Sequence, residues 1–187
     1  MIVIIPARGG SRRIPRKNIK LFHGKPIIQY SISAALHVGQ VYVSTDDIEI
    51  AEVSRRCGAK VLMRPEGMDD LGTQEVMQFH LRTMMCEVAC CLYATAPMVT
   101  AETLLTAYRM LHRADYVVPV AHWLQDPGQF YMGHRHAFVS GQSLIGPRTA
   151  MLQIDPRTAI DINEPSDWLK AEAMYEEWHG DGRVLAG

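Results

Sequence analysis

Short apolar runs alternate along this chain with amphipathic stretches and turn signals, the arrangement expected of strand-helix-strand units around a mainly parallel sheet. Ile2 to Ile5 is wholly β-branched and too short for a helix, which predicts a buried first strand. Pro26 to Leu36 then repeats apolar positions at Ile28, Ile32 and Ala35, one face of a helix. Val41 to Ser44 predicts a second strand. Asp46 with Glu49 reads as a capping box for a helix that buries Ile50, Val53 and Cys57 and stops at Gly58. Lys60 to Met63 is a third short strand, and a helix is expected over Thr73 to Met84.

Val88 to Tyr93 is an uninterrupted apolar run, the pattern of a central strand covered on both faces. Thr100 caps a further helix through Leu104, Ala107 or Tyr108, and Leu111, and Tyr116 to Val120 is another strand. Beyond Val120 the pattern loosens: Gln129 to Met132 and Met151 to Ile154 read as short strands around a polar turn rich in Gly, His and Arg. A last helix from Pro165 turns Trp168, Ala171, Tyr175 and Trp178 inward, and residues 180–187 are expected to fray. No linker or repeat interrupts residues 1–187, so one α/β domain of three layers is expected.

Charge sharpens this picture. The 187 residues carry 19 Lys+Arg and 20 Asp+Glu, which argues against a nucleic-acid partner. The balance is uneven: Arg8, Arg12, Arg13, Arg16, Lys17, Lys20 and Lys25 precede the first acidic residue, Asp46, and the remaining 12 cations face all 20 acids. A local cation cluster in an otherwise acidic protein suits a small polyanion such as a nucleotide triphosphate, with a solvated loop as the plain alternative. Cys57, Cys86, Cys90 and Cys91 form no Cys-x-x-Cys pair and read as reduced thiols. Residues 1–7 lack a basic region before their apolar stretch, and no segment is long and apolar enough for a bilayer span; a cytoplasmic protein without membrane contact is expected.

Most of the cluster lies in one loop, Pro6-Ala7-Arg8-Gly9-Gly10-Ser11-Arg12-Arg13-Ile14-Pro15-Arg16-Lys17-Asn18, directly after the first strand. In an open α/β sheet that is the carboxyl end of a strand, where ligands bind. Ala7, Gly9, Gly10 and Ser11 would let backbone N–H groups approach phosphate oxygens, while the cations neutralise them. The loop is neither a Walker loop nor a dinucleotide Gly-x-Gly-x-x-Gly. His134 and His136 alternate like metal ligands but lack a third partner and read as a polar turn. Asp46 and Asp47 are explained by helix capping and the helix dipole, and Met84 to Cys86 as core or helix end.

This loop closely resembles the signature loop of the nonulosonic acid cytidylyltransferases, which make CMP-sialic acid and its relatives. The likeness continues in order through Val43-Ser44-Thr45-Asp46-Asp47, Arg64-Pro65, Thr95-Ala96-Pro97, Gly128-Gln129-Phe130-Tyr131 and Asp161-Ile162-Asn163-Glu164-Pro165. Tyr93-Ala94-Thr95-Ala96-Pro97 and Asp126-Pro127-Gly128-Gln129-Phe130-Tyr131 look most like the pseudaminic acid branch; sialic acid enzymes tend to show Gln-Pro-Thr-Ser-Pro and Asn-Gly-Ala-Ile-Tyr.

The resemblance implies a nucleotide-diphospho-sugar transferase (Rossmann-like) fold and transfer of CMP from CTP to the anomeric hydroxyl of a nine-carbon 2-keto sugar acid, releasing pyrophosphate. Arg8, Arg12 and Lys17 would lie on phosphates, Asn18 and Arg64 at the nucleoside, and Gln129 and Tyr131 on the acceptor side. Arg12 stands where the family usually has Lys, and Arg64 could equally be a solvated loop cation. In-line displacement needs charge neutralisation, so Mg²⁺ is expected. The family's Asp-x-Asp ligands read here Asp161-Ile162-Asn163, with one charge lost; Asn163 could instead cap the last helix. No general base stands out, Asp161 being the one candidate.

One departure is large. Relatives carry a long segment before the Gly-Gln-Phe-Tyr strand that helps form the sugar pocket and reaches the partner subunit; here only Ala121-His122-Trp123-Leu124-Gln125 precedes Asp126. The resemblance leaves open a compact enzyme with a more open acceptor site, a CTP-binding remnant without activity, or a partner-dependent protein, and it weakens the expectation of a homodimer.

Overall fold

The computed structural model describes residues 1–68, 71–121 and 125–180. The elements run β1 (Ile2–Pro6), β2 (Leu21–Phe22), β3 (Lys25–Pro26), α1 (Ile27–Leu36), β4 (Gln40–Thr45), α2 (Ile48–Arg56), β5 (Lys60–Met63), α3 (Thr73–Leu81), β6 (Val88–Leu92), α4 (Ala101–Met110), β7 (Tyr116–Val120), β8 (Phe130–His134), α5 (Arg135–Val139), β9 (Thr149–Gln153) and α6 (Pro165–Gly180). Seven strands form one sheet in the order β5-β4-β1-β6-β8-β7-β9, and all neighbours are parallel except those of β8. The three-layer, mainly parallel α/β architecture expected from the chain is present.

The order of hydrophobic residues explains the layers. In β1, Val3 and Ile5 face a core shared with α1, α2 and α4, whereas Ile2 and Ile4 face Met77, Leu81, Ala137 and Phe138 of α3 and α5. A strand covered on both sides has no polar alternation, which is why β1 and β6 read as continuous apolar runs. A third cluster, Ile14, Phe22, Ile27, Ile162, Trp168 and Ala171, clamps α6 onto the β2–β3 hairpin and α1. Phe22 sits edge-on to Tyr30, Trp168 and Tyr175 within it, and thereby fixes the entry to α6.

Several elements differ from the sequence expectation. The β2–β3 hairpin turns through His23 (φ 45) and Gly24 (φ 79), a tight pair with positive φ at both positions. The expected helix to Met84 ends at Leu81, because the Arg135 guanidinium donates to the Leu81, Met84 and Arg82 carbonyls and closes that end from another element. The polar turn expected around His134 and His136 is the end of β8 followed by α5, whose Ala137 and Phe138 are buried. Helix α2 is capped by Asp47, which accepts from the Ile50 N–H at 3.0 Å, and not by Asp46, whose carboxylate accepts from the Gly9 N–H at 2.9 Å. The expected fraying of 181–187 falls outside the described residues.

Because β8 is antiparallel, its start lies beside the carboxyl end of β6, Leu92 pairing with Phe130. The lead-in Asp126 to Gln129 therefore shares one sheet edge with the loop after β1, Asp46 after β4 and Tyr93 after β6. Ala121 and Gln125 exchange two backbone hydrogen bonds of 2.9 Å at that edge, closing the ends of the segment that the resemblance marks as short; residues 122–124 lie outside the described residues. No helix among the described residues is long and apolar enough to cross a membrane, and all four cysteines are free.

Candidate active site

A cavity of about 240 Å³ opens at this edge, and five cations line it: Arg8, Arg12, Arg13, Lys17 and Arg64, with Ser11 and Asn18 beside them. No carboxylate is among its described lining residues. Not all of the sequence's cation cluster is spent there. Arg16 adopts a left-handed backbone (φ 55) and turns away, donating to both carboxylate oxygens of Asp47 (2.5 and 2.9 Å) and to Glu49. Arg13 pairs with Glu164 at 2.7 Å, and the Lys20 ammonium lies 4.3 Å from the Trp168 ring centre. The cluster thus divides into Arg16 and Lys20, which hold the loop in place, and the cations that face the cavity, of which Arg13 also pairs with Glu164.

Asn18 is buried, and its amide donates to the Arg8 carbonyl at 2.9 Å, fixing the curve of the loop from within. Lys17 donates to the Ile162 carbonyl at 2.6 Å, tying the loop to the segment before α6. Burial lowers the Lys17 pKa, while nearby Asp161 favours the charged form. Ala7 is buried and its N–H is committed to the Ser44 carbonyl at 2.8 Å, and the Gly9 N–H is committed to Asp46. The Ala7 and Gly9 amides are thus engaged within the protein, and Ala7, Gly9 and Gly10 are absent from the described lining of this cavity. At Gly9 a Cβ would come within 2.6 Å of Asp47 Oδ2, a close approach that requires glycine.

Arg64 is no solvated cation. It is 8% exposed, and its Nε donates to Ser44 Oγ at 2.9 Å and its Nη2 to the Ser44 carbonyl at 3.1 Å. The same Ser44 hydroxyl lies 2.9 Å from Nε2 of buried His80. Burial and then the Arg64 charge push the imidazole down to about 4, so it is neutral.

A second cavity of about 310 Å³ adjoins the first and shares Lys17, Tyr93, Thr95 and Asn163 with it; Asp126, Gly128, Tyr131 and Asp161 complete its wall. Tyr131 donates to Asp126 Oδ2 at 2.6 Å, and burial together with that carboxylate raises its pKa. Tyr93 packs edge-on against Tyr131 and shares a 2.9 Å hydrogen bond with Thr73, linking the two cavities. Gln129 does not reach this wall: it is 1% exposed and donates to the Thr158 carbonyl at 2.5 Å, bracing the start of β8. Gln129 precedes β8, just after the left-handed Gly128 (φ 60), and is held inward by the Thr158 carbonyl, while Asp126, which the sequence reading did not single out, lines the open side. Its signal was the pair Asp126 and Gly128, since the Gly128 N–H donates to Asp126 Oδ1 at 2.8 Å in a turn.

Asn163 Nδ2 donates to Asp161 Oδ2 at 2.7 Å, and Asp167 accepts the Asn163 and Glu164 N–H groups at 3.0 and 2.8 Å. Asp167, not Asn163, caps α6. The Asn163 side chain is thus directed at Asp161, and the two residues present hard oxygen donors beside the phosphate-sized cavity. Among the described residues no group of three or more His, Cys, Asp or Glu could hold a metal alone. This donor set fits a Mg²⁺ that takes most of its ligands from a bound phosphate and water, and does not fit a cation caged by protein.

An α/β sheet with a cation-lined cavity at the carboxyl ends of its strands is the arrangement of an anion-binding α/β enzyme. The profile of the family described as Cytidylyltransferase matches residues 2–144, and the chain belongs to that family of nucleotidyltransferases. Pseudaminic acid cytidylyltransferase of Campylobacter jejuni subsp. jejuni serotype O:2 is 31% identical over 225 aligned positions, covering 95% of this chain and 97% of that protein. Since this chain has 187 residues, at least 38 of those positions have no counterpart here, in keeping with a shortened segment. N-acylneuraminate cytidylyltransferase B of Danio rerio is 32% identical, over 90% of this chain and 50% of that protein. In fold the chain is similar to a CMP:2-keto-3-deoxy-manno-octonic acid synthetase complexed with CTP, at a TM-score of 0.75 and 17% identity over 95% of this chain and 98% of the other.

Proposed function

We propose that this protein transfers CMP from CTP to the anomeric hydroxyl of a nonulosonic acid, with a pseudaminic-acid-type sugar as its acceptor, and releases pyrophosphate. The observation that carries the reading is the junction of the two cavities: a cation-lined chamber and a carboxylate-lined one meet at Lys17 and Asn163. The near full-length similarity to a pseudaminic acid cytidylyltransferase supports the choice of acceptor.

In this reading Arg8, Arg12 and Lys17 hold the triphosphate, and Asn18 and Arg64 face the nucleoside end. The acceptor's anomeric oxygen attacks the α-phosphorus from the Tyr131 side, the bond to the β-phosphate oxygen breaks, and pyrophosphate leaves with its charge spread over the loop cations. Catalysis is then positioning and charge neutralisation, and no covalent intermediate is needed. Asp161 and Asn163 would hold Mg²⁺, which supplies further neutralisation at the phosphates and makes the sugar hydroxyl more acidic. In this reading Asp161 takes the hydroxyl proton, or passes it to solvent.

The test is an endpoint assay by mass spectrometry with CTP, Mg²⁺ and pseudaminic, legionaminic, N-acetylneuraminic or 3-deoxy-manno-octulosonic acid in separate reactions. CMP-pseudaminic acid with equimolar pyrophosphate is the expected product. Another CMP-sugar would overturn the acceptor assignment, and no product in any tube with CTP binding intact would overturn the transfer reading.

A further inference from the structure

Residues that touch no ligand can still decide how well one binds, and the wall behind Arg64 contains such an arrangement. Arg64 lines the cation-lined cavity, yet the hydroxyl that orients it belongs to Ser44, the penultimate residue of β4. Ser44 is fully buried, and behind it His80 of α3 is 7% exposed, with Nε2 at 2.9 Å from Ser44 Oγ. From the geometry we infer that His80 is a positioning residue for nucleotide binding, acting through the Ser44 hydroxyl to fix the Arg64 guanidinium in the cavity. This rests on the proposed CTP site.

The donor and acceptor count supports it. A serine hydroxyl has one proton and two lone pairs. The Arg64 Nε–H takes one lone pair, so a neutral imidazole with its proton on Nδ1 completes the set by accepting the hydroxyl proton at Nε2. That bond holds the hydroxyl's rotation, and with it the lone pair on which Arg64 rests. The Arg64 Nη2 bond to the Ser44 carbonyl fixes the plane of the guanidinium at a second point. A buried histidine kept for packing alone would gain nothing from facing a serine; the same volume filled by leucine would avoid the cost of burying a polar ring. On its own helix Met77 and Leu81 belong to the buried apolar core.

The experiment measures steady-state kinetics of CMP-sugar formation with CTP varied, for wild type, His80→Leu, His80→Gln and Ser44→Ala. Gln places an amide near the position of Nε2. We expect His80→Leu and Ser44→Ala each to raise KM for CTP about tenfold with kcat within about twofold, a magnitude set by one charge-oriented hydrogen bond. His80→Gln should recover most of that loss. The double variant His80→Leu/Ser44→Ala should be no worse than Ser44→Ala alone, because both act on one bond. An unchanged KM in His80→Leu, or additive losses in the double variant, would overturn the inference. Should His80→Leu fail to fold, His80→Ala takes its place as the reference, and His80→Gln should bind CTP more tightly than His80→Ala only when the Ser44 hydroxyl is present. If wild type forms no CMP-sugar, it is the proposed function that fails, and CTP affinity by calorimetry across the same variants then carries the test.

Discussion

The amide nitrogen of Asn163 lies 2.7 Å from Oδ2 of Asp161 at the junction of two cavities, so the one carboxylate of this pair is oriented by its amide neighbour. Asn163→Asp would replace that attraction by repulsion between two carboxylates, which a divalent cation relieves. The expected outcome is a fall of about threefold to tenfold in the Mg²⁺ concentration for half-maximal activity, together with a Mg²⁺-dependent rise in Tm absent from wild type. An unchanged Mg²⁺ titration would remove Asn163 from the metal assignment. Asp161→Ala should lower kcat at least about a hundredfold with an unaltered circular dichroism spectrum, because the residue is exposed and supports no packing.

Gly128 holds that carboxylate from the other side. Its φ is +60°, and a Cβ there would stand 3.0 Å from Asp161 Cγ. Gly128→Ala combines backbone strain with a push on Asp161, so we expect kcat to fall about tenfold or more, KM for CTP to stay within about twofold, and stability to drop by about 1 kcal/mol. A KM effect equal to the kcat effect would show that the two cavities are not separable.

Arg16 makes the reverse prediction. It is absent from the cavity lining and clamps the loop to Asp47 and Glu49 at the start of α2. The guanidinium hydrogen bonds hold the Asp47 carboxyl below the usual carboxylate range. Because the folded pKa is depressed, the clamp's stabilisation is full above the unfolded value of 3.8 and is lost as pH falls below it. Arg16→Ala should cost about 1–2 kcal/mol at neutral pH, measured by urea titration, and raise KM for CTP through loosening of the loop. Urea midpoints identical to wild type would mean the clamp is dispensable.

Arg16 also shows where reading the chain stops short. The apolar periodicity carried β1, β4, α2, β6 and α4, since each of these buries its pattern against immediate neighbours. The capping of α2 was misplaced by one residue, because the competitor for Asp46 is a Gly9 amide 37 positions away. The end of α3 was set by Arg135, 54 positions from Leu81. Within the site, residue type indicated which loop is cationic. It could not divide Arg8 and Arg12 from Arg16 and Lys20, because that division depends on Asp47, Glu49 and Trp168. Gln129 and Asp126 exchanged importance for a similar reason: the turn at Gly128 separates them, and which of the two reaches the cavity depends on the Thr158 carbonyl that draws Gln129 inward.

His80 gives a signature in stability that is independent of any ligand. Its imidazole ordinarily titrates at 6.5, and burial followed by the Arg64 charge lowers it to about 4 in the folded protein. Between these two values the unfolded chain binds a proton that the folded protein does not, so stability rises with pH across this window and is lost as pH falls from 6.5 toward 4. The full span amounts to about 3 kcal/mol. The groups facing the imidazole are Ser44 Oγ and the Arg64 guanidinium, with the edge of the Phe79 ring 5.0 Å away between centroids. The charge on that side is the Arg64 cation, which disfavours the protonated form. The depressed Asp47 contributes its own loss only below 3.8, outside the window. Urea denaturation at intervals from pH 7 to 4.5 should show wild type losing stability steadily, while His80→Gln, which cannot titrate, holds a flatter line. Parallel slopes in the two proteins would show that His80 titrates alike in the folded and unfolded chain, and that burial beside Arg64 does not depress it.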